Sequence, residues 1–176
     1  MKTLYVLLLC LPFMTATPAM AQRQSKEEKA ARLEKEFKTT LALVESNHFR
    51  IEINRAYPQS GRDLSRFNPR GHINISDSTA QGQLPFFGRA YSLPYGEGGG
   101  IEFDAPMQNR KISTESRKRK KSILYRFSVP GKNDTYQISI EISPGGSCSV
   151  NVNSNNRAHI SFTGNISPLK EAEGQK

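Results

Sequence analysis

Two hydrophobic periods divide this chain. Between Gln24 and Asn47 the apolar residues Leu33, Phe37, Leu41 and Val44 recur at intervals of four, four and three, which lays one apolar stripe along an α-helix. Ser25 stands three residues before Glu28, the spacing of a capping box. The pattern predicts a helix of about 22 residues, about 33 Å long, within 22–47. Its stripe packs on a sheet, and its first two turns, rich in Lys, Glu and Ala, project into solvent. From His48 onward the period is two. Phe49, Ile51 and Ile53 alternate with polar neighbours; Ile73 and Ile75 mark a short strand, Ile101 and Phe103 another, and 111–115 a weaker one. The second half is clearer: Ile123 to Val129, Tyr136 to Ile142, Cys148 to Val152 and Ala158 to Phe162 alternate, separated by turn residues at 130–134, 144–146 and 153–156. Four alternating strands joined by three tight turns predict an antiparallel meander. With one apolar and one polar face per strand, the sheet is wet on one side and covered on the other. The expected fold is mainly β: an antiparallel β-barrel or sandwich of about eight strands, lipocalin-like in broad shape, with one N-terminal α-helix. The β domain spans 48–168, and a frayed tail follows over 169–176.

Composition changes this picture at the N-terminus. Lys2, the apolar run Leu4 to Met14 and the small residues Ala19 and Ala21 match a secretory signal peptide over 1–21, and the run is too short for a membrane span. Cys10 follows Leu9 rather than a small residue, which disfavours a lipid anchor. Removal of 1–21 leaves Cys148 as the only cysteine, so no intramolecular disulfide forms; its place between Ser147 and Val150 reads as a small buried hydrophobe. Removal also takes Lys2 and no acidic residue, so the net charge of +9 becomes +8. In an exported protein this favours contact with anionic envelope surfaces over nucleic acid, or serves solubility alone.

Catalytic signals are sparse. The histidines are His48, His72 and His159, and the sequence contains no HExxH, GxSxG, CxxC or phosphate-binding glycine loop,. No catalytic residue, metal ligand or cofactor is assigned. Glu102 and Asp104 share one face of a strand and read as a solvated face rather than a cation site. The densest charge is Arg117, Lys118, Arg119, Lys120 and Lys121, placed on a hairpin tip or its shoulder. It reads as an edge blunted against aggregation or as a contact for phosphate and carboxylate groups of an envelope partner.

The segment LPFFGRAYSLPYGEGGG over 84–100 concentrates aromatics where prolines and glycines break the backbone. Phe86 and Phe87 are adjacent, so one enters the core and the other needs separate cover. Arg89 and Tyr91 share a side of an extended chain, which would lay the guanidinium over an aromatic face. Two readings follow: a loop stapled across a barrel mouth by its own aromatics, or a ligand site lined by Phe87, Arg89, Tyr91 and Tyr95.

LPFFGRAY, the downstream PYGEGGGIEFDAP and the far VNVNSNNRAHISFTGNI resemble the exported Bacteroidetes family known as domain of unknown function 4251. The resemblance covers roughly 35–168, with Leu84 to Tyr91 as its specific part and the turn Asn155 to Arg157 as its second marker. It implies export from a Gram-negative cell and a compact, mostly-β domain, and it carries no mechanism and no functional residues. The expected function is that of a non-catalytic binding protein of the periplasm or cell surface, whose ligand is small or polymeric and anionic or polar. The alternatives are an interaction protein of the envelope acting through the basic tip, and a hydrolase with a site assembled from scattered carboxylates.

Overall fold

The computed structural model describes residues 26–60, 64–92, 99–117, 120–132 and 134–170. The expected leader over 1–21, the Ser25 cap, Tyr95, Lys118, Arg119 and the tail from 171 lie outside them.

Among the described residues one α-helix, α1 (Lys26–Glu45), precedes nine strands: β1 (His48–Pro58), β2 (Gly71–Ser76), β3 (Thr79–Leu84), β4 (Ile101–Pro106), β5 (Gln108–Arg117), β6 (Lys120–Pro130), β7 (Thr135–Ile142), β8 (Ser147–Asn153) and β9 (Ile160–Pro168). They form a single antiparallel sheet in the order β4-β3-β2-β1-β9-β8-β7-β6-β5, curled into a half-barrel. One continuous ladder joins all nine strands, so the barrel-like expectation holds and the sandwich gives way. Edge strands β4 and β5 are consecutive in sequence, and only Met107 separates them. The Met107 amide donates to the Ser78 carbonyl at 2.7 Å. The chain thus steps from one margin of the sheet to the other, and β4 lies close to β6.

The alternating apolar positions of the sequence face the concave side. Phe49, Ile51, Ile73, Ile75, Ile123, Tyr125, Phe127, Ile138, Ile140, Val150 and Phe162 are all buried in one core. Tyr125 stands edge-on to Phe49 and to Phe127, with centroids at 5.6 and 5.7 Å, and Phe103 meets Tyr136 at 6.0 Å. The convex face is polar. Arg50, Asn74, Gln81 and Asp104 stand directly opposite one another on β1 to β4 and are hydrogen-bonded in series at 3.1, 3.2 and 3.2 Å. Asp104 is therefore a member of a surface ladder, consistent with its reading as a solvated position.

The ninth strand, β3, is the one that the hydrophobic pattern does not announce. Its sequence TAQGQL places Ala80, Gly82 and Leu84 inward, yet two of these are too small to register as apolar. Their smallness has a cause. Gly82 pairs with Phe103, and a Cβ on Gly82 would fall within the Phe103 ring. In β1 the register shifts between Ile53 and Arg55, a bulge that lets both Ile53 and Ala56 face inward.

Helix α1 covers one end of the half-barrel with its second half only. Phe37 and Val44 are buried and Leu41 packs against the core, each full burial contributing roughly 1.5–3 kcal/mol. Leu33, expected on the same stripe, is 45% exposed, because the helix has left the sheet by its second turn, in line with the projecting segment read from its composition. Thr40 Oγ1 donates to the Pro144 carbonyl at 2.7 Å and ties the helix to the β7–β8 turn. The helix ends at Glu45, and Asn47, two residues on, lies in the left-handed region at φ 50°, where asparagine is tolerated. There the Asn47 carbonyl accepts from the Asp77 amide at 2.8 Å, and its Oδ1 accepts from Tyr125 Oη at 3.2 Å.

Gly82→Ala is expected to destabilise the domain by about 1–3 kcal/mol through overpacking against Phe103. Phe103→Leu in the same chain should recover part of that loss. Urea denaturation of the two single variants and the double variant reads the coupling; strictly additive losses would show that the close approach is not the cause.

Candidate functional site

The end of the half-barrel opposite α1 collects the C-terminus of β1, a short 3-10 turn (Ser65–Phe67), the start of β9 and the segment that follows β3. That segment is held by backbone bonds. Ala90 bridges Arg157, the Tyr91 amide donates to the Asn156 carbonyl at 2.8 Å, and the Ala158 amide donates to the Arg89 carbonyl at 2.9 Å. The Asn-Asn-Arg turn therefore serves as its docking strip. Phe86 turns inward and packs against the core, whereas Phe87 turns outward. A Cβ on Gly88 would come within 2.6 Å of the Phe86 ring, so the glycine lets the chain fold back over that ring.

Arg157 holds this arrangement together. It is only 8% exposed. Its Nη1 donates to the Gly99 carbonyl at 2.7 Å, its amide donates to Ser154 Oγ at 3.1 Å, and its guanidinium lies 5.2 Å from the centroid of Phe86. The cation over the aromatic face is therefore Arg157 over Phe86, and not Arg89 over Tyr91. Among the described residues no carboxylate pairs with Arg157, and its Nε, like Asp134 Oδ2, is buried with no hydrogen-bond partner. Nearby Tyr136 has its phenol pKa raised, chiefly by burial, with Arg157 opposing the shift.

Outside this latch, Phe87, Arg89 and Tyr91 line one depression of about 410 Å³ together with Pro58, Gln59, Ser60, Gly88 and Ala158. Three of the four residues expected in a ligand site are thus brought together; Tyr95 is the fourth. Phe87 is 39% and Tyr91 62% exposed. Their neighbour Phe67, carried on the 3-10 turn, is 69% exposed, with its ring centroid 6.5 Å from that of Phe87. Phe67 was hidden in the sequence because it stands alone in a loop without period. The contribution of Arg157 had one signal, its place in the Asn-Asn-Arg turn.

The basic run divides differently. Arg117 and Lys120 pair across the β5–β6 hairpin; Lys118 and Arg119 lie outside the described residues, as does the Arg117 side chain. Lys120 is exposed. Lys121 is engaged with the helix: its Nζ lies 2.6 Å from Glu34 Oε2 and 5.2 Å from the centroid of Phe37. The Glu34 carboxyl is held below its ordinary pKa, first by the hydrogen bond from Lys121. A second groove, about 610 Å³, lies between β4 and the β6–β7 turn and is lined by His72, Gln81, Gln83, Glu102, Asp104 and Lys132, among others. Among the described residues no three His, Cys, Asp or Glu side chains converge on a metal position.

Cys148 is 5% exposed, as its alternation with Val150 and Val152 implied. Burial pushes its thiol pKa up from 9.0 to about 12. The folded state therefore keeps a proton that the unfolded chain releases above pH 9. The associated stability is fully present below that pH and is lost as pH rises toward 12, at most about 1.4 kcal/mol per pH unit. Urea midpoints between pH 9 and 10 should fall more steeply in the wild type than in Cys148→Ala; equal slopes would refute the assignment. Arg157→Ala is expected to cost about 2–3 kcal/mol, since it removes hydrogen bonds of a buried charged group and the stack on Phe86. Arg157→Lys, lacking the planar fork, should recover little of it. Arg89→Ala, at an exposed position, should stay within about 0.5 kcal/mol of wild type. Equilibrium unfolding of the three variants tests the contrast.

Comparison with known proteins agrees with this architecture. No curated protein matches the chain significantly. Among solved structures, the chain is similar to a DUF4251 family protein from Bacteroides eggerthii DSM 20697, with a TM-score of 0.55 and 19% sequence identity over 79% of this chain and 91% of that one. At that identity the likeness concerns the fold. The family model described as Domain of unknown function (DUF4251) matches residues 31–166, which takes in the seated half of α1 and nearly the whole sheet, and the chain belongs to that family.

Proposed function

We propose that this chain is an exported, non-catalytic binding protein whose ligand sits on the end of the half-barrel around Phe87, Arg89 and Tyr91. The observation that carries the reading is that these side chains converge on one depression while remaining exposed. They are not what fixes the segment: backbone bonds to Asn156 and Ala158 and the stack of Arg157 on Phe86 do that. Exposed rings beside a guanidinium, on a rigidly held loop, are the arrangement that orients a polar or anionic group against an apolar surface. Tyr95 belongs to the same proposal through its sequence position. Export rests on the leader pattern over 1–21, and it places the ligand in the periplasm or at the cell surface.

Support for the basic hairpin tip as an alternative is weaker, because Lys121 is already committed to Glu34 and Phe37.

Native mass spectrometry of residues 22–176 purified from its own envelope tests the reading. The expected result is a reproducible added mass in the wild type that is lost in Arg89→Ala and Tyr91→Ala without a change in thermal midpoint. A bare wild-type mass would overturn the proposal. Variants that unfold would assign the segment to the fold instead.

A further inference from the structure

The depression does not end at Phe87. Phe67 extends it into a ledge of two tilted rings, 34° apart. Arg66 and Arg70 flank Phe67 in sequence and are exposed. Arg89 lines the depression itself, beside Phe87. Leu64, buried at the root of the 3-10 turn, fixes it to β1 through the Leu64 amide, which donates to the Ala56 carbonyl at 3.2 Å. The described residues of the segments that build this face, 54–60, 64–70, 85–92 and 154–159, contain no Asp or Glu, and among the described residues no carboxylate pairs with Arg66, Arg70 or Arg89. Among the described residues, the carboxylates nearest this end are engaged elsewhere: Glu102 lines the separate groove beside β4, and Asp134 closes the β6–β7 turn.

We infer that this ledge binds an acidic polysaccharide, with the rings of Phe67, Phe87 and Tyr91 under the apolar faces of successive sugars and Arg66, Arg70 and Arg89 on their carboxylate, sulfate or phosphate groups. The inference rests on the reading of this end as a binding face. A pocket for a small molecule encloses most of its ligand, whereas these rings stand open, so affinity has to come from length along the surface. Guanidinium groups present the planar fork that suits carboxylate and phosphate oxygens. A face with cations at several points, and no carboxylate among its described residues, favours a polymer that repeats its anionic group. Single-stranded nucleic acid shares that chemistry, but a chain exported on the leader pattern of 1–21 would meet acidic saccharides rather than nucleic acid.

The test is a binding panel of uronate-, sulfate- and phosphate-bearing oligosaccharides, each beside its neutral counterpart, with a single-stranded oligothymidylate as the competing polyanion. The expected result is that at least one acidic series binds about tenfold or more above its neutral counterpart, weakening as salt is raised. That binding should fall about tenfold in Phe67→Ala and in Arg89→Ala, and less in Arg89→Lys, as expected when a ring or a cation is lost from an interface centre. Equal binding of acidic and neutral members, dependent on Phe87 and Tyr91, would overturn the anionic inference and leave the binding face standing. Oligothymidylate binding as tightly as the best saccharide would overturn the saccharide assignment. A Phe67→Ala variant that binds as wild type would remove the ledge. No binding to any member, with a bound mass still seen by native mass spectrometry, would overturn this inference alone; no binding and no bound mass would overturn both.

Discussion

Everything in this fold follows from the need to keep water off the concave face of one curled sheet. Strands seal that face laterally through their ladder, but a half-barrel has two ends, and a ladder covers neither. At one end the second half of α1 lies over the opening, with Phe37 and Val44 buried and the Thr40 hydroxyl bonded to the β7–β8 turn. At the other the described residues supply no α-helix. The chain instead uses a broken-backbone segment with one inward aromatic, Phe86. Such a segment cannot satisfy its backbone groups within itself, which is why it borrows partners from the turn before β9. The lateral margin is treated in the same economical way. Met107 alone carries the chain from β4 to β5, and bonds from its amide and to its sulfur fix that step beside Tyr125.

Arg157 shows what the aromatic end requires. A guanidinium taken out of water is costly unless its donors and its face are used, and here no carboxylate among the described residues neutralises it. A carbonyl and an aromatic face take that place. The charge of Arg157 is thereby occupied in holding the loop, so a ligand bound on the outer surface as proposed would meet Arg89 rather than Arg157.

Most of the fold was legible because burial here follows the pleat. Wherever inward residues are large, as in β6 to β9, period two announces the strand and the turn residues announce its end. The failures share a cause in packing geometry. β3 was silent because Phe103 needs the space over Gly82, so the strand facing it has to be small and reads as polar. Leu33 kept helical spacing after the helix had left the sheet, since spacing records direction around an axis and not distance from a neighbour. Lys121 read as one of five like charges, while Glu34, eighty-seven residues earlier, had already engaged it. The candidate site was legible in three of its residues because LPFFGRAY keeps them close in sequence. Phe67 and Arg157 come from other turns, and only the closing of the barrel end brings them in.

The exposed rings of this end are the part of the molecule that folding does not explain. Phe86 shows that the segment can bury an aromatic when the core needs one; Phe87, one residue on, is left outside, and Phe67 and Tyr91 join it there. Together with Leu33 these three are the large hydrophobic side chains exposed among the described residues, and Leu33 sits on the projecting half of the helix. A chain selected for stability alone loses nothing by placing polar residues at such sites. Three of the four gather at one end, in described segments that carry arginines and no carboxylate. Burial of apolar area by a partner would recover the free energy that these rings forgo in water, and the surrounding cations would restrict which partner can do so.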